Sequence, residues 1–73
     1  MDKKYHNELK RLGLKIAYYR KLNGLSQEEL AEKADISRTH MSRIETAQCT
    51  PSLITLIHIS TQLNISLKDL FDY

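Results

Sequence analysis

Cysteine occurs once in this chain, at Cys49, so no internal disulfide can form, and a reducing compartment is implied. Proline also occurs once and glycine twice, and the three read as punctuation between helices. There is no internal repeat, no linker and no low-complexity stretch. No run approaches the ~20 apolar residues that a membrane span needs. The N-terminus, MDKKYHNELK, lacks the apolar core of a signal peptide. A cytoplasmic protein with no membrane partner is therefore expected. Charge of one sign is scarce as well, with a net value of only +2.

Metal and catalytic patterns are missing too. His6, His40, His58 and Cys49 have no short paired spacing of the zinc-finger type. No nucleophile–base pair sits in a glycine-rich turn, and no phosphate loop is present. The expectation is a protein that is not an enzyme and uses no metal or other cofactor.

What is present is helical periodicity. The 73 residues suffice for one domain, read as spanning 1–73. A domain this small buries only ~60% of the surface its unfolded chain exposes, so dimerisation would supplement its stability. Leu9, Leu12, Ile16 and Tyr19 recur at helical spacing and predict a first helix from about Asn7 to Leu22, closed by Asn23-Gly24. Ser26-Gln-Glu-Glu29 is a capping box that opens a second, short helix with Leu30, Ala31 and Ala34 facing inward. Asp35-Ile36 makes a tight turn that asks Asp35 for a positive φ. Ser37 caps a third helix, Arg38 to Glu45, with Met41 and Ile44 inward. Thr50-Pro51 is read as opening a fourth helix with the core stripe Leu53, Leu56, Ile59, Ser60 and Leu63. Ser66 caps a last short helix carrying Leu70 and Phe71. Nothing alternates with period two, so the predicted class is all-α, a compact five-helix domain without a sheet.

The second and third helices are joined by a turn too brief for an antiparallel pair, so they must cross steeply, with the small Ala31 at the contact. Leu30, Ile36, Met41 and Ile44 lock this pair, at about residues 26–45, onto the rest. These are the demands of a helix-turn-helix, which leaves the outer face of its second helix free for a major groove. On that face Arg38 and Arg43 can each bind guanine O6 and N7 in bidentate fashion, and Thr39 can offer a hydroxyl to a base or a methyl to thymine. Ser42, by its residue type alone, reads as an ordinary exposed polar side chain. His40 either reaches a phosphate or faces solvent. Charge supports the polarity of the molecule only weakly. Residues 1–21 carry seven basic and two acidic side chains, residues 22–36 one basic and four acidic. Such a pattern can orient a protein on phosphate, but charge alone favours a mixed-charge solvated surface.

Five motifs in order, Leu25-Ser-Gln-Glu-Glu-Leu-Ala31, Ile36-Ser37, Met41-Ser-Arg-Ile-Glu45, Pro51-Ser-Leu53 and Leu67-Lys-Asp-Leu-Phe71, resemble the phage repressor and Cro-like helix-turn-helix family over about residues 9–71. Two positions depart from it: the family usually has glycine where this chain has Asp35 and Ala47. The resemblance implies a DNA-binding regulator. It implies that Gln27 contacts a backbone phosphate, that Arg38 and Thr39 read base edges, that Ser42 and Arg43 face the groove, and that Thr46 contacts phosphate just past the helix. It further implies that Arg20 and Glu45 pair inside the domain, a structural role whose loss would cost ~3–5 kcal/mol if the pair is fully buried.

Ile54 and Ile57 lie off the core stripe of the fourth helix, Ile65 follows, and Phe71 and Tyr73 add aromatic surface. A second apolar stripe on a small domain points to a partner, so residues 51–73 are the expected homodimer surface. Ile57 and Phe71 could equally complete the monomer's own core. Pairing through this region, common in the family, would set two recognition helices ~34 Å apart on a palindromic operator. The partners expected are double-stranded DNA and a second copy, with no small-molecule ligand. A stand-alone chain of this size fits a restriction–modification controller or a phage-type repressor. An autoregulating antitoxin, or an interaction module of the same fold that has lost DNA binding, are the other readings. The operator, the regulated genes and the choice between activation and repression depend on the DNA and lie beyond the sequence.

Overall fold

A computed structural model describes residues 5–72. Tyr73, expected at the dimer surface, lies outside the described residues. Among the described residues five helices follow one another: α1 His6–Leu22, α2 Gln27–Lys33, α3 Arg38–Glu45, α4 Leu53–Gln62 and α5 Leu67–Leu70. No strand occurs among the described residues.

Side-chain caps set where four of these helices begin. Ser26, Ser37, Ser52 and Ser66 each have extended backbone and accept from the amide three residues on. Each thereby satisfies one of the helix's orphan N–H groups. At Ser26 and Ser66 the third helical residue, Glu29 or Asp69, returns the bond to the cap's own amide. That bond holds the Glu29 carboxyl below its usual range, since the Ser26 amide and hydroxyl favour the charged form.

Helix ends share a second device. Gly24, Asp35, Ala47 and Asn64 all adopt positive φ, near 60–70°. After each, the next amide reaches back across the turn: Leu25 to the Arg20 carbonyl, Ile36 to Ala31, Gln48 to Arg43 and Ile65 to Ser60. This is the Schellman closure, which satisfies carbonyls that the helix leaves open. Only one of the four positions is glycine.

The core is built from Ile16 of α1, Leu30 of α2, Met41 and Ile44 of α3, Ile59 and Leu63 at the end of α4, and Leu70 of α5, all fully buried. Leu12, Ala31, Ala34 and Leu56 complete it. Burying one such large side chain contributes roughly 1.5–3 kcal/mol. The α2–α3 pair is the most closely associated, and α3 also packs on α1.

Three sequence expectations need correction. Thr50 does not cap α4; Ser52 does, and Pro51 stands outside the helix. Leu53 is not core but 60% exposed. It is the first helical residue, and helical side chains lean toward the N-terminus, so it points past the end of the core. Gly13 is not punctuation. It lies in mid-α1, buried, where a Cβ would collide with the Glu45 carbonyl and stand 2.8 Å from that of Ile44. Its missing side chain is what lets α1 approach the end of α3.

Candidate nucleic-acid interface

The short turn Asp35–Ser37 delivers α3 with its first residues at the surface. The Ser37 hydroxyl accepts from the His40 amide at 3.0 Å and fixes the first turn of the helix. Met41 and Ile44 anchor the inner side. The outer side is then determined: Arg38, Thr39 and Arg43 are exposed and Ser42 is half-buried. These four line one concavity together with Gln27 of α2 and Gln48 of the following loop. Sequence reasoning did not single out Gln48. Its position follows from the positive φ of Ala47, which turns the chain back at the end of α3.

Behind this surface lies a buried polar knot. The Glu45 Oε2 accepts from Arg20 Nε at 2.8 Å, and Oε1 accepts from Arg20 Nη2 at 3.1 Å. Arg20 Nη1 donates to the Leu25 carbonyl at 2.8 Å. The two side chains are only 11% and 5% exposed, so the pair is desolvated and holds because the guanidinium fork matches the carboxylate. Gln27 Nε2 donates to Glu45 Oε1 at 3.0 Å, with the amide nitrogen rather than the oxygen facing the carboxylate. One carboxylate thus ties α1, α2 and α3 together at the edge of the concavity. Among the described residues no buried side-chain polar atom lacks a partner.

Gln27, expected at a phosphate, therefore has an internal partner as well. An amide NH₂ has two protons and its carbonyl two lone pairs, so the Glu45 bond leaves Gln27 one N–H and one oxygen to offer outward. Thr46 does not line the concavity. It is the residue that closes α3, and its hydroxyl donates to the Ser42 carbonyl at 2.7 Å. Donating to a phosphate would mean giving up that bond.

On the far helices, Ile54, Ile57 and Phe71 are exposed, and Leu53 joins them. Ile65 does not; it is half-buried and packs on the core, because the turn at Asn64 points it inward. No group of three or more His, Cys, Asp or Glu side chains among the described residues could hold a metal ion. Among the described residues no helix is long and apolar enough to cross a membrane.

Two short helices crossing at a tight turn, the second one with a polar outer face, define a helix-turn-helix protein. The sequence profile of the family described as Helix-turn-helix matches residues 16–70, and the chain belongs to that family of DNA-binding transcriptional regulators. It is 42% identical over 67 residues to the control protein C.MunI of a Mycoplasma species, covering 89% of this chain and 90% of that protein. It is 40% identical over 62 residues to the HTH-type transcriptional regulator SinR of Bacillus subtilis, covering 84% of this chain and 56% of SinR. Among solved structures, the restriction-modification controller C.AhdI of Aeromonas hydrophila superimposes with a TM-score of 0.87 at 31% identity, over 89% of this chain and 98% of that one. SinR, the master regulator for biofilm formation, solved in complex with DNA, superimposes with a TM-score of 0.78 at 40% identity, over 84% of this chain and 98% of that one.

Proposed function

We propose that this regulator binds a two-fold symmetric DNA site as a homodimer, α3 entering the major groove. The observation that carries the reading is the convergence of Arg38, Thr39, Ser42 and Arg43 with Gln27 on one surface. An α-helix with its side chains is roughly 10–12 Å across, which suits a major groove about 12 Å wide. Arg38 and Arg43 supply bidentate donors for guanine, and Thr39 and Ser42 adapt to either base type. Gln27 offers its remaining N–H to a phosphate, and Gln48 flanks it. Thr46 can contact the DNA backbone at the end of the helix only by exchanging its bond to the Ser42 carbonyl for one to phosphate. Phosphate contacts fix the register and the arginines supply selectivity.

The exposed apolar surface of Leu53, Ile54, Ile57 and Phe71 is the pairing surface of the two copies in this reading. Similarity to the control protein C.MunI and to the restriction-modification controller C.AhdI supports the role of a controller of restriction–modification genes, and similarity to SinR, solved in complex with DNA, supports DNA as the ligand. Replacement of both arginines tests the assignment: Arg38→Ala with Arg43→Ala should abolish selective binding to the cognate duplex and leave the fold intact. Unchanged affinity and selectivity would remove α3 from the interface.

A further inference from the structure

The outward face of α1 takes no part in the reading above. Leu14, Tyr18 and Leu22 recur every four residues along it and are 66%, 55% and 63% exposed. They lie opposite the face that buries Leu12 and Ile16. Gly13 and Arg20, which meet Glu45, mark the side of α1 turned toward α3, so the stripe points away from the recognition helix. Tyr18 is held edge-on against Tyr19, ring centroids 5.2 Å apart, and Lys15 Nζ stands 5.6 Å over the Tyr19 ring. The result is a shallow hollow floored by Leu14 and the tyrosines.

Charge decides what fits there. On a helix that turns by about 100° per residue, Lys10 and Lys21 fall on one flank of the stripe and Lys15 on the other. A second copy meeting this face with its own would set lysine against lysine, and like charges in contact oppose association. The chemistry that satisfies both features is an apolar ridge with carboxylates along its edges. We propose that the outer face of α1 is a docking surface for an acidic amphipathic helix of a protein partner, laid along Leu14, Tyr18 and Leu22 with its carboxylates against the flanking lysines. This site is separate from the DNA surface and does not depend on it.

The test uses the full chain, isotope-labelled, and a synthetic helical peptide with leucines at i, i+3, i+4 and i+7 and glutamates beside them. Amide shifts on titration should centre on residues 14–22. Leu14→Ala with Leu22→Ala, both neutral for the helix, should weaken binding by about tenfold or more, and Lys15→Glu should do the same. Operator affinity and thermal midpoint should stay unchanged in the leucine variant, whose two side chains are exposed. Shifts centred on α4 and α5, or none, would overturn the proposal. So would equal binding of a peptide of the same composition with its leucines scattered, which would indicate charge attraction alone. Binding of anionic phospholipid vesicles through these residues, without binding of the peptide, would make the surface a membrane contact instead.

Discussion

Gln27 and Arg20 donate to the same oxygen of Glu45, at 3.0 and 3.1 Å, so two successive helices meet at one carboxylate of a third. The carboxylate orients the side chain that opens α2 while holding α1 and α3 in place. The polar knot behind the concavity therefore has two consequences, one for stability and one for the geometry of the concavity's edge.

The stability consequence can be measured by chemical denaturation. Arg20→Ala leaves the Glu45 carboxylate largely desolvated with Gln27 as its remaining side-chain partner, and should cost about 3 kcal/mol. A domain of this size has roughly 4–11 kcal/mol in total at typical per-residue stability. The denaturant midpoint should fall steeply. Removing Glu45 as well should cost far less than the two single losses added together, because the two residues act as one unit.

Gly13→Ala should destabilise even though alanine is the better helix former. Propensity would favour it by about 0.8–1.0 kcal/mol. Overpacking against the Glu45 backbone carbonyl should cost about 1–3 kcal/mol and outweigh that gain, since backbone cannot swing aside as a flexible side chain does. A rise in thermal midpoint would show that α1 and α3 are less tightly apposed.

Asp35 and Ala47 share a positive φ of 59° and 60° but should respond differently to glycine. Asp35 is exposed, so Asp35→Gly relieves left-handed strain of about 1 kcal/mol and should raise the thermal midpoint by roughly 4–8 °C. Ala47 is buried, so Ala47→Gly also loses a methyl group worth about 0.8 kcal/mol and should be close to neutral. Thermal unfolding of the two variants side by side checks the contrast.

Acid should weaken the α2 cap. The Glu29 carboxyl titrates below its ordinary value of 4.5 because the Ser26 amide and hydroxyl hold the charged form. A lowered folded-state value means stability that is present above pH 4.5 and lost as pH falls through the lowered value. The native chain should be more stable than Glu29→Gln at neutral pH, and the difference should shrink to nothing in acid. Thermal midpoints across a pH series would show it; a gap that stays constant would mean that charge is not involved.

Dimerisation through α4 and α5 predicts a variant as well. Ile54→Asp with Ile57→Asp should give a folded monomer by sedimentation, since both side chains are exposed and neither belongs to the core. A dimer that persists would place the pairing surface elsewhere.

What was legible in the sequence was local. Ser26, Ser37 and Ser66 announce their helices because a cap and its target amide are three residues apart. Asp35 announces a turn for the same reason. The start of α4 was misread because Thr50-Pro51 carries the signature of a helix opening while Ser52, two residues on, makes the cap, and Leu53 shares the spacing of the core stripe although it is the first helical residue. The Gln27–Glu45 bond joins residues 18 apart and follows no local rule. Gly13 did leave a signal, since a glycine inside a strongly periodic helix calls for a packing reason. The α1 stripe was readable too: Leu14, Tyr18 and Leu22 repeat at helical spacing, but on the side opposite the core pattern. The outer face of α3 was the reverse case: type and spacing mark Arg38, Thr39 and Arg43, and the fold gathers them with Ser42 and Gln27 on one surface.

Selection of bound duplexes from a random DNA pool, followed by titration of the winner at two salt concentrations, tests the central claim most directly. A homodimer that reads the major groove should return a palindrome, with affinity that falls on added salt by a slope of about 0.9 per phosphate neutralised. Recovery of no sequence, even at low salt, would contradict that reading.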